Sequence, residues 1–242
     1  MDTGRILGTL LLLSATLFAA PSAEDIYKRS VKVLSFEKIK FHVTSRMKSK
    51  NYSEVQRFSL ANYSHADESA SLICFLAPKS VKGTAILLKK DAQSSSTLVY
   101  FPSLGRSRIV PKRDEDNEAF GLGLSFSEMQ NQAKSLTRLP DVKRDKKSYY
   151  KIAKEDKKHK TIYLIDKKTM VIKEMDIYEG EQLIKKVIVD KFALLRHKPF
   201  IIKWHIEDFI KQKETSYSVD TKSISTAFSK DIFKRSAISH CR

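Results

Sequence analysis

Six histidines, at positions 42, 65, 159, 197, 205 and 240, are the first candidates for acid–base or metal chemistry, and their spacing serves neither. No two stand four apart, the helical separation that aims a pair of imidazoles at one metal ion. His42 lies between Phe41 and Val43 and alternates outward to solvent, while Pro199 and a strand separate His197 from His205. There is no Gly-x-Ser-x-Gly elbow, no His-Glu-x-x-His and no phosphate-binding loop. Asp114-Glu115-Asp116-Asn117-Glu118 begins like a calcium loop. However, Ala119 stands where the turn needs Gly, and Ser125 where a bidentate Glu closes the shell. The run therefore reads as an acidic, solvated loop. Asn51-Tyr52-Ser53 and Asn62-Tyr63-Ser64 fit the glycosylation pattern, which matters only in a eukaryotic secretory route. No catalytic residue, cofactor or metal ligand is expected.

The elements around these residues are mostly strands. Ala23 to Leu34 has helical spacing of Ile26, Tyr27, Val31 and Leu34, with Lys28, Arg29 and Lys32 outside. The period then drops to two. Strands are predicted over Ile39–Val43, Val55–Leu60, Ser71–Ala77, Thr84–Leu88, Thr97–Phe101, Thr161–Ile165, Val171–Tyr178, Leu183–Phe192, Phe200–Asp208 and Glu214–Ser223. Short links such as Glu179-Gly180-Glu181 join them. About ten strands with one apolar face make a mainly β, α+β fold, an antiparallel sheet wetted on one side. A helix is expected over Ser125 to Leu136, after the Gly121-Leu122-Gly123 kink, and a helix or turn over Ser229 to Ile238. The basic stretch Asp141 to Lys160 carries Tyr149, Tyr150 and Ile152 and enters a strand.

Lys plus Arg is 45 against 28 Asp plus Glu, a net charge of +17 over 242 residues. Such a balance serves nucleic acid, an anionic membrane surface or plain solubility. The first residues narrow the choice. Arg5, the apolar run Ile6 to Ala20 around Leu10 to Leu13, and the small residues Ala19 to Ala23 have the layout of a secretory signal over residues 1–23. The run is short for a membrane span. A single exported domain over 24–242 follows, which disfavours nucleic acid as partner. Outside the cytoplasm Cys74 and Cys241 are able to pair across a very long loop, or to stand apart as a buried thiol and a loose terminal one; the residues leave both open.

One stretch is more specific. Ser71 to Ala77 is followed by Pro78, Lys82-Gly83-Thr84, then Leu98-Val99-Tyr100-Phe101-Pro102-Ser103-Leu104-Gly105-Arg106-Ser107-Arg108-Ile109. It resembles the bacterial outer-membrane lipoprotein-sorting proteins, the LolA-like group, and Lys82-Gly83-Thr84 and Tyr100 to Arg108 carry the likeness. Gly121 to Met129 is similar to that group's lid segment, but Leu124 and Ser125 replace its Ser and Asp. Ile202-Lys203-Trp204 and Phe228 to Phe233 extend the resemblance to the tail.

The resemblance implies an unclosed antiparallel β half-barrel with helices over its concave face, and carriage of lipoproteins or phospholipid acyl chains across the periplasm without catalysis. A monomer working with an inner- or outer-membrane transport partner fits that role. The alternatives are a periplasmic lipid or lipoprotein sensor, or an accessory subunit of an inner-membrane exporter. Alternation assigns the lipid-binding cavity to Ile39, Phe41, Val43, Phe58, Leu60, Leu98 and Tyr100, with Phe126 and Met129 from the lid. Arg106 and Arg108 flank its mouth, where they order a loop or meet an anionic headgroup. Gly121 and Gly123 are the expected lid hinge.

Overall fold

In the computed structural model, which describes residues 20–130, 135–156 and 158–241, the period-two segments form one antiparallel sheet. Thirteen strands run β1 (Lys38–Ser49), β2 (Ser53–His65), β3 (Glu68–Ala77), β4 (Ala85–Lys90), β5 (Ser95–Phe101), β6 (Arg106–Ile109), β7 (Ser135–Arg144), β8 (Lys147–Glu155), β9 (His159–Asp166), β10 (Ile172–Glu179), β11 (Gln182–Leu195), β12 (Lys198–Asp208) and β13 (Lys213–Ser225). Their spatial order is β6-β5-β4-β3-β2-β1-β13-β12-β11-β10-β9-β8-β7. The chain thus builds each half as a meander, and the pairing of β1 with β13 joins the halves. The sheet stays open, with β6 and β7 as edges.

Ten of these strands sit where alternation places them, β8 is the strand that the basic stretch with Tyr149, Tyr150 and Ile152 was expected to enter, and β6 and β7 are additional. β7 is the main correction. Of the expected helix over Ser125 to Leu136, the described part is one short turn, α2 (Phe126–Gln130); positions 131–134 lie outside the described residues, and Ser135 begins a strand. Pro140 sits in β7 beside a register shift, a position open to proline because the strand is an edge. Asp141 to Glu155 completes the β7–β8 hairpin.

The inner face of the sheet is concave in its side chains and apolar. Ile39, Phe41 and Val43 of β1, Phe58 of β2, Phe75 of β3, Ile86 of β4, Val99 of β5, Ile206 of β12 and Tyr217 of β13 form one buried cluster. Helix α1 (Ala23–Leu34) extends this core over the other half, where Ile26 packs with Ile152, Tyr163 and Ile165. Ser22 caps α1 by accepting from the Asp25 N–H at 3.1 Å, and Glu24 and Asp25 stand in the positive first turn. Arg138 of β7 donates to the Pro21 carbonyl at 2.9 Å and ties down the entry. The signal segment lies outside the described residues up to position 19. Among the described residues no helix is long and apolar enough to cross a membrane.

The outer face is not uniformly wet, contrary to expectation. On β3, β4 and β5 both faces are apolar, and Leu72, Cys74, Ala85, Leu87 and Leu98 bury their outer side under the C-terminal segment through Phe233, Ile238 and Cys241. That segment is two short 3₁₀ turns, Lys230–Phe233 and Ile238–His240, the turn alternative of the helix or turn expected there. A disulfide joins Cys74 to Cys241 with Cα atoms 5.5 Å apart, which resolves the open question of the thiols. It spans 167 residues, and closing so long a loop is worth about 5 kcal/mol in the chain-entropy account.

Candidate functional site

Strand register decides which side chains can share the hollow. Leu60 pairs with Phe41 and Ile73, and Phe58 with Val43 and Phe75, so all six face inward. Val99 pairs with Ile86, which places Val99 and Phe101 inward and turns Leu98 and Tyr100 to the other face. Leu98 and Tyr100 therefore pack under the C-terminal segment and do not line the cavity. The alternation was correct and its phase on β5 was not. A strand apolar on both faces gives no cue to its phase.

Over the hollow lies a lid, residues 110–130. Its roof is a tight loop closed by an antiparallel bridge between Glu118 and Ser125, with the Ala119 N–H donating to the Leu124 carbonyl at 2.9 Å. Ser125 then opens α2 through a reciprocal cap. Its Oγ accepts from the Glu128 N–H at 3.2 Å, and Glu128 Oε2 accepts from the Ser125 N–H at 2.6 Å. Gly121 and Gly123 are at the loop's tip, inside the bridge, and not at its roots. Both have positive φ, +77° and +66°. A Cβ on Gly121 would come within 3.2 Å of Gln56 Nε2, and one on Gly123 within 3.4 Å of Ile206 Cδ1. Their role in this geometry is close approach of loop backbone to the sheet.

Between lid, α1 and sheet is a cavity of about 380 Å³, a normal size for a small-ligand site. Tyr27 and Val31 of α1, Phe58 and Leu60 of β2, Leu122, Leu124 and Met129 of the lid, and Met175, Trp204 and Tyr217 from the far half all line it. Trp204 and Tyr217 stack with centroids 4.7 Å apart. The expected residues Phe58, Leu60 and Met129 are in this lining, while Ile39, Phe41 and Val43 form the packed floor beside it. Phe126 lines a second groove of about 700 Å³ on the other flank of the lid, with Val99, Phe101 and Phe120. Arg108 and Arg113 belong to that second groove. Arg106, paired with Phe101 on the edge strand, is exposed. Tyr27, Val31 and Trp204 carried helical or strand periodicity in the sequence, but nothing there brought the two halves of the sheet together.

The acidic run is latched, a correction to its reading as a solvated loop. Glu118 is salt-bridged to Lys213, the first residue of β13, and, at 2.6 Å, to Lys211 of the β12–β13 turn. It also accepts from the Gly123 N–H at 2.9 Å. Burial alone would raise its pKa; the hydrogen bonds from Lys211 and Lys213 outweigh this and hold it at about 2. Glu128 pairs with Lys185 of β11 at 2.7 Å, with both side chains largely buried. Asp116 meets Lys158. Burial opposes ionisation of Asp116 less than the Lys158 hydrogen bond favours it, so its pKa falls. The Tyr217 hydroxyl donates to the Leu122 carbonyl and Gln56 Nε2 to the Phe120 carbonyl, pinning the tip from below. Burial drives the Tyr217 pKa far up, so the phenol stays a donor.

The architecture is thus an open antiparallel half-barrel with an apolar hollow, covered by a helix and by a loop that ion pairs hold to the sheet. A protein-family model described as "Uncharacterized protein" and marked "-like" matches residues 67–240, and the chain belongs to that family. Its fold is that of the LolA-like lipoprotein-sorting group. The chain is similar in structure to a DUF1329 family protein from Desulfovibrio piger (TM-score 0.81, 16% identity, 89% of this chain and 97% of the other). It is equally similar to a structure described as an outer membrane lipoprotein-sorting protein domain from Vibrio parahaemolyticus (TM-score 0.81, 15% identity, 90% and 98%). A LolA superfamily protein from Nitrosomonas europaea follows (TM-score 0.72, 16% identity, 89% and 98%). No curated protein matches the sequence.

Proposed function

We propose that the chain is an exported, non-enzymatic carrier that holds the acyl chains of lipoproteins or phospholipids in its hollow and moves them across the periplasm. The observation that carries this reading is the lidded cavity. It is lined mainly by Tyr27, Val31, Phe58, Leu60, Leu122, Leu124, Met129 and Trp204, with few polar groups and partly open to solvent. Each methylene removed from water is worth about 0.8 kcal/mol, so a 16-carbon chain supplies roughly 10 kcal/mol before the costs of ordering. That suffices for reversible capture without polar chemistry. The second groove sets Arg108 beside Val99, Phe101 and Phe126, while its other guanidinium, Arg113, lies 3.9 Å from Asp114 and Glu118 also lines it, so a headgroup there has Arg108 as its cation. A monomer that hands its guest to an inner- or outer-membrane transport partner completes the proposal.

The test is extraction of the purified protein with organic solvent and mass spectrometry of the extract, with displacement of a fluorescent fatty acid as a second readout. Co-purifying lipid or acylated peptide, and saturable probe binding, are expected. A lipid-free protein that takes up no acyl probe would refute the carrier role.

A further inference from the structure

The large apolar side chains left exposed include four gathered at one end of the sheet. Tyr52 and Val55 belong to the β1–β2 turn and its exit, and Phe209 and Ile210 to the β12–β13 turn, each about half exposed. Register makes the two turns neighbours, because Ser49 pairs with Lys213, Lys48 with both Ser53 and Glu214, and Arg46 with Val55. Arg46, Lys48, Lys50 and Arg57 are exposed around them, with Lys211 exposed but paired to Glu118; on the acidic side are the exposed Glu214 and the half-buried Glu54, which interacts with Tyr52. Beyond Phe209 the β10–β11 turn carries Glu179 and Glu181, so the cationic rim is one-sided. Isolated exposed apolar residues need no explanation, but a cluster at two adjoining turns ringed by cations does.

We propose that this end of the sheet seats on an anionic lipid bilayer, with Tyr52, Phe209 and Ile210 entering the headgroup region and the surrounding lysines and arginines meeting lipid phosphates. Amphipathic rings settle at the boundary between headgroup and hydrocarbon, and long basic side chains reach back to the phosphates. Juxtaposed cations add attraction for an anionic surface that salt weakens. The net charge of +17 supports the same partner at long range. The site differs from the cavity, and it stands or falls apart from the carrier reading.

Sedimentation with vesicles tests it, comparing phosphatidylcholine alone with a phosphatidylcholine–phosphatidylglycerol mixture. The chain should bind the mixed vesicles, release them at high salt, and ignore the neutral ones. Phe209→Ser with Ile210→Ser should weaken binding at least tenfold, and Lys48→Gln and Lys50→Gln about fivefold each. Leu194→Ser, at the opposite end of the sheet beside the β11–β12 turn, should change nothing. Thermal melting confirms that each variant is folded. Equal binding to neutral and mixed vesicles, or undiminished binding by the Phe209/Ile210 variant, overturns the proposal. So does failure to bind either vesicle, which would leave an acidic protein as the occupant. Fatty-acid capture by the same variants should match the parent chain; its loss with vesicle binding intact would count against the carrier reading alone.

Discussion

Replacing Glu118 by Gln should unlatch the lid while leaving the half-barrel folded. The carboxylate is held by Lys211, Lys213 and the Gly123 N–H, and its pKa falls from 4.5 to about 2. At 1.36 kcal/mol per pH unit, that corresponds to about 3 kcal/mol in favour of the closed loop, an upper figure because the carboxylate keeps 15% of its exposure. The folded-state value is depressed. The stabilisation is therefore complete above pH 4.5 and is lost as pH falls toward 2. In the Gln variant the pH-dependent part is gone at every pH, and Lys213, whose side chain is 9% exposed, is left without its carboxylate. Opening should become up to a hundredfold more populated. Trp204, the single tryptophan, reports it, since it stacks on Tyr217 and Tyr217 donates to the lid's Leu122. Titrating Trp emission from pH 6 to 2, with circular dichroism to follow the sheet, should show an acid transition in the parent chain before the sheet melts. The Gln variant should start near the acid endpoint and release a bound fatty-acid probe faster. Identical emission and identical probe release in the two proteins would refute the latch.

Three further outcomes follow from the packing. Cys74→Ser with Cys241→Ser should lower stability by up to about 5 kcal/mol in denaturant melts and leave fatty-acid capture intact, because the disulfide lies on the outer face. Leu60→Trp should fill the cavity and weaken capture at least tenfold, whereas Leu98→Ala should cost about 2–5 kcal/mol of stability without touching capture; the reverse pattern would mean the faces are misassigned. Gly123→Ala should destabilise by about 1 kcal/mol or more, since φ is +66° and Ile206 Cδ1 lies 3.4 Å from the added carbon, read as a lower melting temperature and faster probe release.

Strands with one polar and one apolar face were legible in the sequence. Lys40 and His42 between Ile39, Phe41 and Val43 set both the period and the side, and the structure follows them. Leu98-Val99-Tyr100-Phe101 has no polar marker, so the run reads as a strand but does not say which of its side chains face inward. β7 was hidden for another reason. Its residues Ser135–Arg144 carry their apolar side chains Leu136, Leu139 and Val142 three apart and not two, and are interrupted by Pro140, as an edge strand tolerates, and its pairing with β8 supplies what its pattern lacks. The cavity itself is a product of topology. Tyr27, Leu60 and Trp204 stand far apart along the chain and meet because β1 pairs with β13, a contact no local pattern announces.

The acidic run gains its meaning from the same closure. Asp116, Glu118 and Glu128 lie on the lid of a chain with 45 lysines and arginines, and each faces a lysine from a different part of the sheet: Lys158, Lys213 with Lys211, and Lys185. An apolar lid alone would gain free energy from any apolar floor and would have no preferred seat. Four ion pairs from these three carboxylates fix one seat, because displacing the loop leaves charges at the sheet rim that are partly shielded from water. They also make the seat reversible, since a carboxylate and an ammonium that part at the rim are rehydrated. Lowering pH or raising salt should thus act on the lid and spare the apolar floor, and fatty-acid release that accelerates with salt more steeply in the parent chain than in the Glu118→Gln variant, which keeps the Asp116–Lys158 and Glu128–Lys185 pairs, is the observation that ties the lid to its latch.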